Sequence, residues 1–234
     1  YCDNSSPSLD NVTISNNNAY KGGGLHSMGS SDITFENSII TGNTATDKGG
    51  GIDIRENGLT VINNSIISNN TAQRGGGFHS ADANSSIITN SIISNNTAQR
   101  GGGLQIQSIN TSIIENVLIS NNTAGYAGGG IFLEHWGSAD EDLDLSINSS
   151  TIVNNISGND DGGGGGICLK HFTNSNISSS IIGYNIPQDI NFTSANPNQS
   201  INLTIDYSDI VGDIDINDNG TVNWGEGNIN ADPL

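Results

Sequence analysis

The chain of 234 residues holds 36 Asn, 31 Gly and 30 Ser, and its Ile outnumber its Leu by 34 to 11. Asn, Ser and Gly weaken helix and favour turns while β-branched Ile fits a pleated surface, so the composition disfavours a helical protein; hydrophobic residues, 33% of the chain and evenly spread, also disfavour disorder. Twenty-four acidic residues against six basic ones give a formal charge of −18, which argues against a duplex nucleic-acid partner or an anionic membrane surface, and the lack of an apolar run long enough to span a bilayer argues against direct membrane insertion.

In chain order, Tyr1 aligns with the column of His26 and Asp53, so the chain starts inside a repeat. With no signal peptide, this leads to the expectation of a fragment of a longer protein. Gly triplets then begin at Gly22, Gly49, Gly75, Gly101 and Gly128, before a five-Gly run at 162–166. Segments 11–19, 37–45, 64–72, 90–98 and 116–124 align without gaps, with weaker copies at 149–157 and 179–187 and a decayed one near Tyr207. Two apolar columns run through these copies, one from Ile14 through Ile40, Ile67 and Ile93 to Ile182, the other from Leu9 through Phe35, Ile62 and Ile88 to Ile177. A third follows each triplet: Leu25, Ile52, Phe78, Leu104, Ile131 and Ile167. Three inward aliphatic positions in about 26 residues predict three short strands per unit. Such a unit cannot bury its face alone and must stack on its neighbours, which is the logic of a parallel β-helix, a β-solenoid of about eight coils at roughly 4.8 Å spacing. Residues 1–205 are read as the repeats, with an insertion at 135–144, and 206–234 as the last coil and acidic C-terminal segment of the same domain.

One turn column is Asn in every copy: Asn17, Asn43, Asn70, Asn96, Asn122, Asn155 and Asn185. Stacked amides that bond to one another and to the turn backbone predict a structural asparagine ladder. Cys2 and Cys168 fall about six coils apart, roughly 29 Å at the strand spacing and beyond disulfide reach.

The units 67–78 and 93–104, in which an Asn-containing turn precedes a Gly triplet and an aliphatic residue, resemble the repeats of right-handed parallel β-helix surface proteins, in particular the polymorphic outer-membrane protein repeats. The tail 225–234 is similar to the closing motif of secreted bacterial β-helix proteins. This resemblance implies an all-β, right-handed, single-stranded parallel helix and an extracellular or cell-surface, prokaryotic setting. It leaves function open, because pectate-lyase-like enzymes, adhesins and plain stalks share the scaffold.

Four features are candidates for function. Lys21, Lys48, Arg74 and Arg100 each precede a Gly triplet and line one edge at successive coils, either as a docking stripe for an anionic glycan or acidic partner, or as a duplicated turn residue relieved by neighbours such as Asp47. A second column, expected to face outward, brings His26, Asp53 and His79 together with Arg55 close by. Beside a glycine groove these could supply acid–base groups to a polysaccharide lyase or hydrolase, or form a plain solvent-facing column. Ile39, Ile66, Ile92 and Leu118, with Val61, Ile87 and Ile113 on the preceding strand, lie between the inward positions and predict an outward aliphatic partner interface, unless the strand bends to bury both faces. Finally, Asp215, Asn217, Asn219, Thr221, Asn223 and Glu226, around Gly220, match the twelve-position calcium-loop pattern, a match that an Asn- and Asp-rich chain also produces by chance. Calcium is therefore the one cofactor the sequence suggests. The acidic run at Asp140, Glu141, Asp142 and Asp144 reads as a solvated loop, and sequons at Asn11, Asn69, Asn95, Asn121, Asn148 and Asn202 would be glycosylated only in a cell with the machinery.

The function expected is that of a non-enzymatic extracellular module of a larger cell-surface or secreted protein, serving in adhesion to a glycan or protein partner or as a spacer. The alternatives are a carbohydrate-active β-helix enzyme and a component that self-associates laterally or end to end.

Overall fold

The structure is a computed structural model that describes residues 1–56, 58–83, 85–107, 111–135, 143–158, 163–171, 173–193, 200–216 and 220–231. Among these residues the helices and strands are all strands, in parallel sheets, and no helix is long and apolar enough to cross a membrane. Each coil contributes one strand to each of three long sheets. The first coil does so with Cys2–Asp3, Ser8–Asp10 and Thr13–Ser15, and the second with Leu25–Met28, Ile33–Glu36 and Ile39–Thr41. Strands stack nine deep in the first two sheets and eight deep in the third, which matches the coil count read from the repeats. A short fourth ladder was not anticipated. It joins Asn18–Lys21 to Thr44–Lys48 and Thr97–Arg100 to Thr123–Ala127, with single bridges between, and the register slips at the cationic residues.

The predicted inward columns form the core. Ile40 stacks on Ile67, Ile93, Ile119 and Ile152, and Phe35 on Ile62, Ile88 and Ile114, each in register with its neighbour and fully or almost fully buried. Strand alternation also holds on the outward side. Ile39, Ile66, Ile92 and Leu118 are 36–39% exposed, and Val61, Ile87 and Ile113 are half-buried, so these strands do not bend to bury both faces.

Three corner columns hold 17 of the 36 Asn. The seven-member ladder forms as predicted: each side-chain amide donates to the Oδ1 of the next coil's Asn at 2.9–3.1 Å. That same Oδ1 also accepts the previous Asn's backbone N–H, and the second amide hydrogen goes to an Ile carbonyl one coil back. A primary amide offers two donors and a two-lone-pair acceptor, so each interior rung is fully satisfied while buried. Two further Asn columns have a different role. Asn11, Asn37, Asn64, Asn90 and Asn116 open one corner, and Asn16, Asn69, Asn95, Asn121 and Asn154 directly precede the ladder, all in the left-handed region that Asn tolerates best after Gly.

Two other elements of the ladder system escaped the sequence reading. Ser38, Ser65, Ser91, Ser150, Ser180 and Ser208 form a buried hydroxyl column in which each Oγ accepts a backbone N–H from the preceding coil and donates to the carbonyl two residues back. At the C-terminal end, Asp189 Oδ1 accepts both the amide and the backbone N–H of Asn185, and its Oδ2 accepts from Gly212 N at 2.7 Å. An acceptor-only carboxylate thus terminates a ladder that runs donor to acceptor along the axis.

The rungs carry a direct test. Asn96→Ala removes the acceptor of two Asn70 donors and leaves the Ile67 carbonyl without its partner, so urea melts are expected to show a loss of at least about 2 kcal/mol from buried unsatisfied groups. Asn95→Gly, one residue away at an exposed left-handed position, is expected to stay within about 0.5 kcal/mol of the parent.

Candidate functional site

The Gly triplet determines what becomes of the His26, Asp53 and His79 column. Gly49 has φ +61°, and a Cβ placed there would lie 2.6 Å from Asp53 Cβ; a Cβ on Gly50 would lie 2.3 Å from the Gly76 carbonyl oxygen. Only glycine permits so tight a reversal. The turn folds the segment before the triplet over the outer side of the strand that follows it. The expected outward column is consequently buried: Asp53, His79, Gln105, Phe132 and Cys168 are all fully covered, and the His26 side chain is 15% exposed. This corrects the expectation of a solvent-facing column beside a groove. Ala127, Phe132 and Cys168 form an apolar cluster of their own, separate from the main core.

The four residues grouped from sequence do meet, inside this wall. Asp53 Oδ1 lies 2.7 Å from His79 Nδ1, and Oδ2 lies 2.8 Å from His26 Nδ1 and 3.3 Å from Arg55 Nε. Burial alone would raise the Asp53 carboxyl, but the hydrogen bonds of both imidazoles and the charges of His79 and Arg55 outweigh it and hold the group well below the usual carboxylate range. His79 moves the same way for the opposite reason. Its complete burial disfavours the imidazolium and outweighs Asp53's attraction, with Arg55 and Lys48 adding repulsion, and among the described residues Nε2 has no partner to receive a second proton's hydrogen bond. The arrangement can hold a charge and fix a tautomer; Asp53 and His79 are sealed, while His26 and Arg55 keep partial exposure and His26 lines a pocket of about 520 Å³ with Tyr1, Lys21 and Gly22.

The cationic edge is in register as predicted: Lys21 pairs with Lys48, and bridges link Lys48 to Arg74 and Arg74 to Arg100. All four side chains are partly exposed. The Lys48 ammonium is lowered by burial first and then by Arg55 and Arg74, against the pull of Asp47 and Asp53. The other two cations of the chain are engaged elsewhere, Arg55 on Asp53 and Lys170 on Glu134 at 3.3 Å, where Gln107 also donates to the same carboxylate. A shallow groove of about 360 Å³ is lined by Gln73, Arg74, Gln99, Arg100 and Tyr126.

The described residues of the C-terminal calcium pattern include members of two strands in different sheets. Asp215 lies in strand Ile214–Ile216, where its carboxylate accepts from Asn191; Thr221 and Asn223 lie in strand Gly220–Trp224, paired with Ile201–Asp206; Glu226 accepts from the Tyr207 hydroxyl. Asn217 and Asn219 lie outside the described residues. Among the described residues no three His, Cys, Asp or Glu side chains gather as a metal site. Of the acidic insertion, residues 140–142 also lie outside the described residues, and Asp144 is part of strand Leu143–Asn148. No disulfide joins Cys2 and Cys168, whose strands stand six places apart in one sheet.

The family model for a right-handed β-helix region matches residues 1–159. The chain belongs to the right-handed β-helix family. No curated protein and no solved structure matches it. Membership in the β-helix family accounts for the scaffold and is compatible with surface proteins and carbohydrate-active proteins alike.

The buried cluster makes stability depend on pH. Because the His79 imidazole takes up its proton less readily folded than unfolded, the unfolded chain binds more protons as pH falls through the ordinary histidine range near 6.5, and stability falls with it. Asp53, depressed in the folded state, adds a further loss only below about pH 4. The melting temperature is expected to drop between pH 7.5 and 5, and His79→Gln, which copies Gln105 of the next coil, should flatten that drop.

Proposed function

We propose that this β-helix is a non-enzymatic extracellular module of a larger cell-surface or secreted protein, acting in binding through its cationic edge or as a spacer. The observation that carries this reading is the enclosure of Asp53 and His79, the paired carboxylate and imidazole among the four candidate acid–base groups. Asp53 and His79 are fully buried beneath the glycine turn, so a sugar ring has no approach to them, whereas Lys21, Lys48, Arg74 and Arg100 reach solvent. General acid–base catalysis needs hydrogen-bond reach to the reacting group, and a sealed pair lacks it. Incubation with uronic-acid and neutral polysaccharides is expected to give no cleavage products. Cleavage by the parent chain that Asp53→Ala abolishes would overturn the reading.

The aliphatic row Ile39, Ile66, Ile92 and Leu118 supports a second reading, lateral self-association. A second copy is the occupant that fits, because an isologous contact would set two rows of identical pitch against each other. Sedimentation velocity over a concentration series should then show a dimer that Ile92→Asp abolishes; a monomer at every concentration rejects this reading.

A further inference from the structure

A second column of side chains runs beside the cations. The residues immediately before Lys21, Lys48, Arg74, Arg100 and Ala127 are Tyr20, Asp47, Gln73, Gln99 and Tyr126. Because the cationic positions pair coil by coil and Ala127 pairs with Arg100, this second column runs parallel to the first over five successive coils. Its ends are aromatic, with Tyr20 67% and Tyr126 38% exposed; between them Gln73 and Gln99 are exposed, and the half-buried Asp47 offsets part of the charge of Lys48, so the cationic character is strongest at Arg74 and Arg100. Lys21 Nζ sits 5.7 Å from the Tyr20 ring centroid and the Arg100 guanidinium 5.6 Å from that of Tyr126, so cation and ring orient each other at both ends.

From this juxtaposition we infer that the edge is a binding site for a linear acidic polysaccharide lying along the helix axis. The inference rests on the binding reading above and names its ligand class. Four steps at the strand spacing separate the two tyrosines, about 19 Å. Over that length the edge offers one cation per coil in four consecutive coils, a regular array suited to a polymer that repeats its carboxylates or sulfates. Gln73 and Gln99 can each donate to and accept from hydroxyl groups, and tyrosine rings provide flat apolar platforms for the C–H faces of sugars. An acidic peptide strand fits less well. Its same-face side chains recur every 6.6–6.8 Å, about two strand residues, and drift out of phase with a 4.8 Å array within two coils. The other two cations of the chain are held in ion pairs with Asp53 and Glu134, so the four edge residues hold the remaining positive side-chain charges of an acidic protein.

The test is equilibrium binding of the full chain to sodium alginate (carboxylate), dextran sulfate (sulfate), unsubstituted dextran and poly-glutamate, with parent, Arg74→Gln/Arg100→Gln and Tyr126→Ala proteins whose melting temperatures are matched. Saturable, salt-sensitive binding of alginate, dextran sulfate or both is expected, and which of them binds identifies the anionic group. The double variant should lose at least tenfold in affinity and Tyr126→Ala severalfold, with no binding of dextran. Binding of neither acidic polysaccharide, or binding that the double variant leaves unchanged, overturns the proposal. Poly-glutamate bound as tightly, with Tyr126→Ala silent, overturns it in favour of an acidic protein partner. Cleavage of alginate that depends on Asp53 would instead overturn the non-enzymatic reading while leaving the edge as a binding site.

Discussion

In this protein every coil sits on a copy of itself at one strand spacing, and each residue must be compatible with its own kind about 4.8 Å above and below. That constraint sorts the amino acids. Ile stacks on Ile without cost, a primary amide is donor and acceptor at once and can repeat indefinitely, and a hydroxyl can accept from one coil while donating within its own. Where the series ends, the residue must change: Asp189 replaces the next amide because an acceptor is all that Asn185 requires.

Charge is the case in which self-stacking fails, and two solutions coexist on one strand-and-turn unit. Inside the wall, Asp53 never meets another carboxylate; it lies between His26 and His79 with Arg55 beside it. On the edge above, Lys21, Lys48, Arg74 and Arg100 stack like on like and remain partly in water, where screening reduces their repulsion. The two columns track each other. Under the cationic residues the wall is polar, with Asp53, His79 and Gln105, and where the edge changes to Ala127 the wall changes to Phe132 and Cys168. The covering residue and the covered one therefore share an environment, and Lys48 registers the field of Asp53 directly.

This coupling separates two roles that look alike along the chain. The carboxylate and the His79 imidazole that resemble catalytic equipment lie inside the wall, and the repeated turn cations that resemble simple duplication lie partly exposed on the edge. A regular edge of this kind presents its side chains at fixed intervals set by the strand spacing.

The repeat length, the three inward columns, the Asn ladder and the separation of the cysteines were legible in the sequence, because stacking forces each structural role to recur at one period and columns can be read by alignment alone. The Ser column carries the same signal and could have been found by that alignment, although Val117 interrupts it. The destination of the His26, Asp53 and His79 column could not be read this way. Alternation says that it leaves the core, but whether it then meets water depends on the path of the preceding segment, which the left-handed Gly49 turn folds over it. Nor could Asp189, which departs from the repeat and acts only because the chain brings it to the end of a ladder begun at Asn17. Periodicity along the sequence determined what repeats in this protein, while the tertiary structure decided what covers what, since burial depends on the three-dimensional path of segments that share no sequence signal.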